Sequence, residues 1–167
     1  MDEGNVRTTV LSALRPLHAI YVENGAKAGT GDVNYIEGWL ELKWLHNWPK
    51  RPKTPIKLPE FTPQQRLFLI ERCRMNGQAR VLLRVGREWI LLPGMWSAFR
   101  LGKTSTRADI LAAAEKHWLA NLSRSELVSY LRDPPPVNSD WSSFLKESGY
   151  TFPGLERASI NTLLQLP

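Results

Sequence analysis

Apolar residues fall into short periodic runs separated by glycine, proline and charge. Val6, Val10, Leu11 and Leu14 share one side of a helix predicted over about residues 5–14, which Pro16 ends. The segment 18–22 has the pattern of a first strand. After a glycine-bearing loop over 24–31, a short strand over 33–36 and a second one beyond Gly38 are joined by a tight connection at Glu37-Gly38. Side chains alternate along that second strand, so Trp39, Glu41 and Lys43 point one way and Leu40, Leu42 and Trp44 the other. Thr62 as N-cap and Pro63 in the first helical position open a helix over 63–75 that Asn76-Gly77 ends. Strands over 79–85 and 89–92 follow, joined by Gly86-Arg87-Glu88. Beyond Gly94 the texture becomes helical: Ile110, Leu111, Ala114 and Trp118 form a face over 106–119, and a second helix is predicted over 125–131, capped by Ser123 or Ser125. The run 133–140 is a break, and Trp141, Phe144, Leu145, Tyr150, Phe152 and Leu155 give the last piece enough apolar surface to dock back on the body. The expected class is α/β, with a core over 1–95 and a mainly helical extension over 96–167 packed on it.

The 167 residues suit a single core with an appended part. No run approaches the roughly 18 apolar residues of a membrane span, and the acidic start, MDEGNVRTTV, lacks the apolar stretch of a signal peptide. A cytoplasmic protein is therefore expected. Cys73 is the one cysteine, which rules out an internal disulfide and a cysteine-rich zinc site. His18, His46 and His117 are scattered without ligand spacing.

The net charge of +6 is unevenly spread. From Lys43 to Arg107 there are 14 Lys/Arg against Glu60, Glu71 and Glu88, and the remainder has 8 basic and 13 acidic residues. Such segregation favours a nucleic-acid partner. Within the basic segment, prolines 49, 52, 55 and 59 forbid helix and central strand, so Lys50, Arg51, Lys53 and Lys57 are displayed on extended backbone suited to phosphate contacts. Gln64, Gln65 and Arg66 stand in the first turn of the following helix. Gly25, Gly29 and Gly31 match no phosphate-cradle spacing and mark a turn.

Charges in a strand as apolar as 36–45 need a reason. The hairpin brings Asp32 alongside Glu41, and two adjacent carboxylates are relieved by a divalent cation.

Gly29-Thr30-Gly31-Asp32, then Glu41-Leu42-Lys43, then Phe61-Thr62-Pro63-Gln64-Gln65 opening a helix before an apolar strand, resemble the PDDEXK nuclease superfamily, in particular its VRR-NUC type and the related Holliday-junction resolvases. The resemblance covers about residues 11–92. Gly31 stands where members usually have proline, and Glu3 is the sole acid available to the opening helix, so a ligand there stays unassigned. The resemblance implies a restriction-endonuclease-like core of helix, three-stranded meander, helix and two further strands. It implies that Asp32, Glu41 and the backbone carbonyl of Leu42 bind Mg²⁺ or Mn²⁺, that Lys43 orients the attacking hydroxide and offsets phosphorane charge, and that Gln65 positions the water or Lys43. DNA would be the substrate, branched DNA included, with phosphate contacts from Lys50, Arg51, Lys53, Lys57 and Arg66, and a homodimer as the assembly. The alternative is a non-catalytic DNA-binding protein that uses the basic loop and the C-terminal helix pair, with Arg124 and Arg132 meeting the DNA.

Overall fold

The computed structural model describes residues 3–22, 29–75 and 77–134. Helix α1 (Glu3–Ala13) leads through a 3-10 turn (Arg15–Leu17) to β1 (Ile20–Tyr21), then β2 (Val33–Tyr35) and β3 (Gly38–Leu45). Helix α2 (Pro63–Arg74) crosses to β4 (Gln78–Val85), followed by β5 (Glu88–Pro93), α3 (Gly94–Arg100), α4 (Arg107–Ala113), β6 (Lys116–Trp118) and α5 (Arg124–Arg132). The strands form one six-stranded mixed sheet in chain order, β1 to β6. Every neighbouring pair is antiparallel except β3 and β4, which run parallel over their eight residues. A parallel step needs a crossover rather than a hairpin, and α2 supplies it. The protein is thus α/β with helices on both faces of a mixed sheet.

Strand alternation divides the core. Leu40, Leu82 and Leu91 face α1 and α5, whose Val10, Ala13, Leu127 and Leu131 close one apolar layer. On the other face, Val81, Leu83, Ile90 and Leu92 pack against α2, α3 and α4 through Leu69, Ile70, Ala98 and Ile110. Ile56, Leu58 and Phe61 belong to this second layer. The proline-rich loop is therefore anchored from below, with Lys50, Arg51, Lys53 and Lys57 exposed between its buried apolar residues.

The hairpin between β2 and β3 turns at Ile36-Glu37, one residue earlier than expected, because Tyr35 pairs with Gly38. A larger departure lies beyond residue 106. A capping box of Thr106 and Asp109 starts a helix, but it ends at Ala113 instead of continuing to 119. The Glu115 N–H donates to the Leu91 carbonyl (2.9 Å), and Lys116–Trp118 adds a sixth strand to β5. Two forces favour this. Arg80 is 2% exposed, and the Glu115 carboxylate sits 2.6 Å from its Nε; a buried cation without a partner costs several kcal/mol. Ile110 and Trp118, which share a side of an ideal helix, are buried on opposite faces of the sheet. With β6 between α4 and α5, the expected helix pair for DNA recognition is not formed.

Residues beyond 95 are integral to both layers: Ala98, Leu101 and Ile110 to one, Trp118, Leu127 and Leu131 to the other. The expected docking of Trp141 through Leu155 lies outside the described residues. Among the described residues no helix is long and apolar enough to cross a membrane.

Candidate functional site

The last β2–β3 ladder pair towards the site is Val33 with Leu40. Extending that register would set Leu42 opposite Gly31, but there the chain has left the sheet and a side chain replaces the strand: Asp32 Oδ2 accepts the Leu42 N–H at 2.7 Å. The N–H and C=O of a residue within a strand point to the same neighbour. The Leu42 carbonyl is thus directed towards the edge that Asp32 occupies. The flanking residues, Glu41 and Lys43, project from the opposite sheet face to Leu42, beneath α2. Asp32 lies close enough to Glu41 for its charge to act on it. The fold therefore brings Asp32, Glu41 and Lys43 to the point where β2 leaves β3.

Two glycines fix Asp32 in that place. Gly29 has φ +88°, and a Cβ on it would overlap the Cβ of Gln64 in the first turn of α2. A Cβ on Gly31 would come within 3.3 Å of both Trp39 and Phe68. Gly31 is thus a packing requirement. The 29–31 segment, legible in the sequence as a turn, is a strut between α2 and the acid.

Asp32 is half-buried, whereas Glu41 is 1% and Lys43 7% exposed. Lys43 Nζ donates to Glu41 Oε1 at 2.5 Å, and Glu41 Oε2 has no hydrogen-bond partner. Burial pushes the Glu41 carboxyl up to about 8, against the opposing pull of Lys43; the Asp32 carboxylate pushes in the same direction as burial. Two of the three groups thus form the wall of the site rather than an open cleft, and Asp32 is its solvent-facing end.

Gln65 and Arg66 have other tasks. The Gln65 carbonyl accepts the Thr62 N–H (3.0 Å) while Thr62 Oγ1 accepts the Gln65 N–H (3.3 Å), so this side chain closes the capping box of α2 instead of reaching Lys43. Arg66 is 4% exposed and donates to the carbonyls of Phe61, Ser97 and Ala98. The last two belong to the C-terminal turn of α3, whose carbonyls favour a cation; that of Ser97 also accepts the Leu101 N–H at 3.1 Å. Arg66 therefore clamps α2 to α3 and does not face solvent, contrary to the phosphate contact expected of it. Its desolvation lowers its pKa to about 10, still far above neutrality.

The role of Phe61 beneath Lys43 is not evident from the sequence. Its ring lies 4.0 Å from the Arg66 guanidinium carbon and 5.3 Å from Lys43 Nζ, so it forms the floor beneath the lysine. The signal for its packing on Arg66 was present: Phe61 precedes the N-cap and Arg66 is the fourth residue after it, the spacing of a hydrophobic staple, here built with a cation on a ring.

Among the described residues no group of three or more His, Cys, Asp and Glu side chains forms a metal site. What remains suits a hard cation of the magnesium kind, which takes one or two carboxylates and fills its other positions with water and substrate phosphate. Asp32, Glu41 and the Leu42 carbonyl are the oxygens that could serve it, and Glu41 Oε2 has no hydrogen-bond partner of its own.

No protein-family model matches the chain, and a search of curated proteins found no match to it.

Proposed function

We propose that the protein is a divalent-metal-dependent nuclease that hydrolyses DNA phosphodiester bonds at the site formed by Asp32, Glu41 and Lys43. The observation that carries this reading is the 2.7 Å hydrogen bond from the Leu42 N–H to Asp32, because it sets one carboxylate against the strand that bears the other. The element order supports a restriction-endonuclease-like core: opening helix, three-stranded meander, crossover helix, and a strand parallel to the third. Asp32, Glu41 and the Leu42 carbonyl would hold Mg²⁺ or Mn²⁺. Such a cation, when bound, neutralises phosphate charge and acidifies a water molecule. Glu41 would bind it as the carboxylate, its proton passing to solvent water, and Lys43, held against Phe61, would orient the attacking water and offset the charge developing on phosphate. The exposed Lys50, Arg51, Lys53 and Lys57 contact the DNA backbone. A preference for branched DNA and assembly as a homodimer rest on the resemblance alone.

The burial of Glu41 and Lys43 favours a second reading, in which they are an inert internal hydrogen-bonded pair in a DNA-binding protein. Labelled linear and four-way DNA, incubated with Mg²⁺, Mn²⁺ or EDTA, separates the two. The nuclease reading expects metal-dependent cutting that falls at least about 100-fold in Glu41→Ala and Lys43→Ala, with DNA binding retained. Binding without cutting under either metal supports the inert pair.

A further inference from the structure

Beside the acid site lies a group of side chains that hydrolysis does not use. Trp39 stands two residues before Glu41 on the same strand, half-buried, and meets Phe68 of α2 edge to face, with ring centroids 5.1 Å apart at 81°. Arg72, one helical turn beyond Phe68, is exposed; its guanidinium carbon lies 5.2 Å from the Trp39 ring centre and 5.1 Å from that of Phe68. Gly31, packed against both rings, is the residue immediately before Asp32. Platform and acid are therefore adjacent through Gly31.

Among the described residues no carboxylate neutralises Arg72, whose side-chain contacts are the two rings. A cation resting on half-covered aromatic rings beside a phosphate-cleaving site has the chemistry of a nucleotide-stacking surface: aromatic and guanidinium planes hold bases, and the charge holds the adjoining phosphate. Bases in an intact duplex are stacked on one another and cannot reach such a surface. We infer that Trp39, Phe68 and Arg72 form a stacking platform for an unpaired nucleotide next to the scissile phosphate. The substrate is then DNA with a single-stranded segment at the cleavage position. This inference rests on the nuclease reading for the place of cleavage, but its test has a separate readout.

The test uses the full chain in EDTA, with a single-stranded oligonucleotide carrying 2-aminopurine and a hairpin duplex of the same sequence. Arg72→Ala should weaken single-strand binding about 10-fold and leave duplex binding within about 2-fold, as befits the loss of one stacked base. Arg72→Lys, which keeps the charge without the plane, should not restore it. Because Trp39→Ala removes packing, its fold is checked by circular dichroism; if folded, it should also lose the 2-aminopurine quenching seen on binding. Equal weakening of single-strand and duplex binding by Arg72→Ala, rescued by lysine, would make Arg72 a plain phosphate contact and overturn the platform. Metal-dependent cutting that is indifferent to strandedness, in wild type and Arg72→Ala alike, overturns the platform and leaves the nuclease reading standing. Stacking of single strands without cutting under any metal sinks the nuclease reading and keeps the platform.

Discussion

Glu41 carries the most consequential electrostatics in the molecule. Buried at 1% exposure, it keeps its proton up to about pH 8, whereas the unfolded chain releases it near 4.5. Between those values the folded state holds more protons than the unfolded state, so rising pH favours unfolding. Glu41→Gln has no such proton to lose. Its stability relative to wild type is expected to rise by at least about 1.4 kcal/mol, one unit of pKa, between about pH 5 and about pH 8.5. Urea denaturation at the two pH values measures this, and a constant difference would mean that Glu41 ionises freely in the folded protein. Gly29 makes a second residue-level case. With φ +88° and Gln64 against it, Gly29→Ala is expected to cost about 1–3 kcal/mol in the same assay. Alternation along β3 was enough to place Glu41 and Lys43 on one face. How deep they sit could not be read, because depth depends on Phe61 and α2, which arrive from elsewhere in the chain.

At the level of elements, α2 organises the site. Its start was legible in Thr62-Pro63, since a threonine side chain accepts one of the N–H groups that helix formation leaves unpaired and proline has none to leave. The same legibility misdirected two roles: Gln65 and Arg66 look available for substrate in the sequence, yet one closes the cap and the other ties α2 to the end of α3. Thr62→Ala is expected to lower stability by about 1 kcal/mol. Arg66→Ala strips a buried donor from three carbonyls and should cost about 3 kcal/mol or more. Neither loss is expected to change DNA affinity once folding is allowed for, and fluorescence anisotropy checks that; a folded Arg66→Ala with much weaker binding would restore it to the DNA contacts. The strand β6 was illegible for a different reason. A three-residue strand has too short a period to compete with a helical pattern, and the forces that make it, pairing with Leu91 and the Arg80–Glu115 contact, are both long-range.

On the scale of the whole molecule, the sheet is one body from β1 to β6, and its two apolar layers draw on residues either side of position 95. Trp118→Ala, far from the acids, is therefore expected to destabilise the protein by about 3–5 kcal/mol. The count of basic residues between Lys43 and Arg107 overstated the positive surface, because Lys43, Arg66 and Arg80 are spent inside. What the charge pattern did locate is the exposed proline-rich loop. The account as a whole stands on Asp32 and Glu41 sharing a cation. Crystals of the full chain soaked in Mn²⁺ and examined by anomalous scattering test this most directly. The account predicts an anomalous peak in contact with both carboxylates and the Leu42 carbonyl, with Glu41 released from Lys43, and no peak in Glu41→Ala. Density that leaves Glu41 bound to Lys43, with Mn²⁺ absent from Asp32 at saturating metal and alkaline pH, would contradict it.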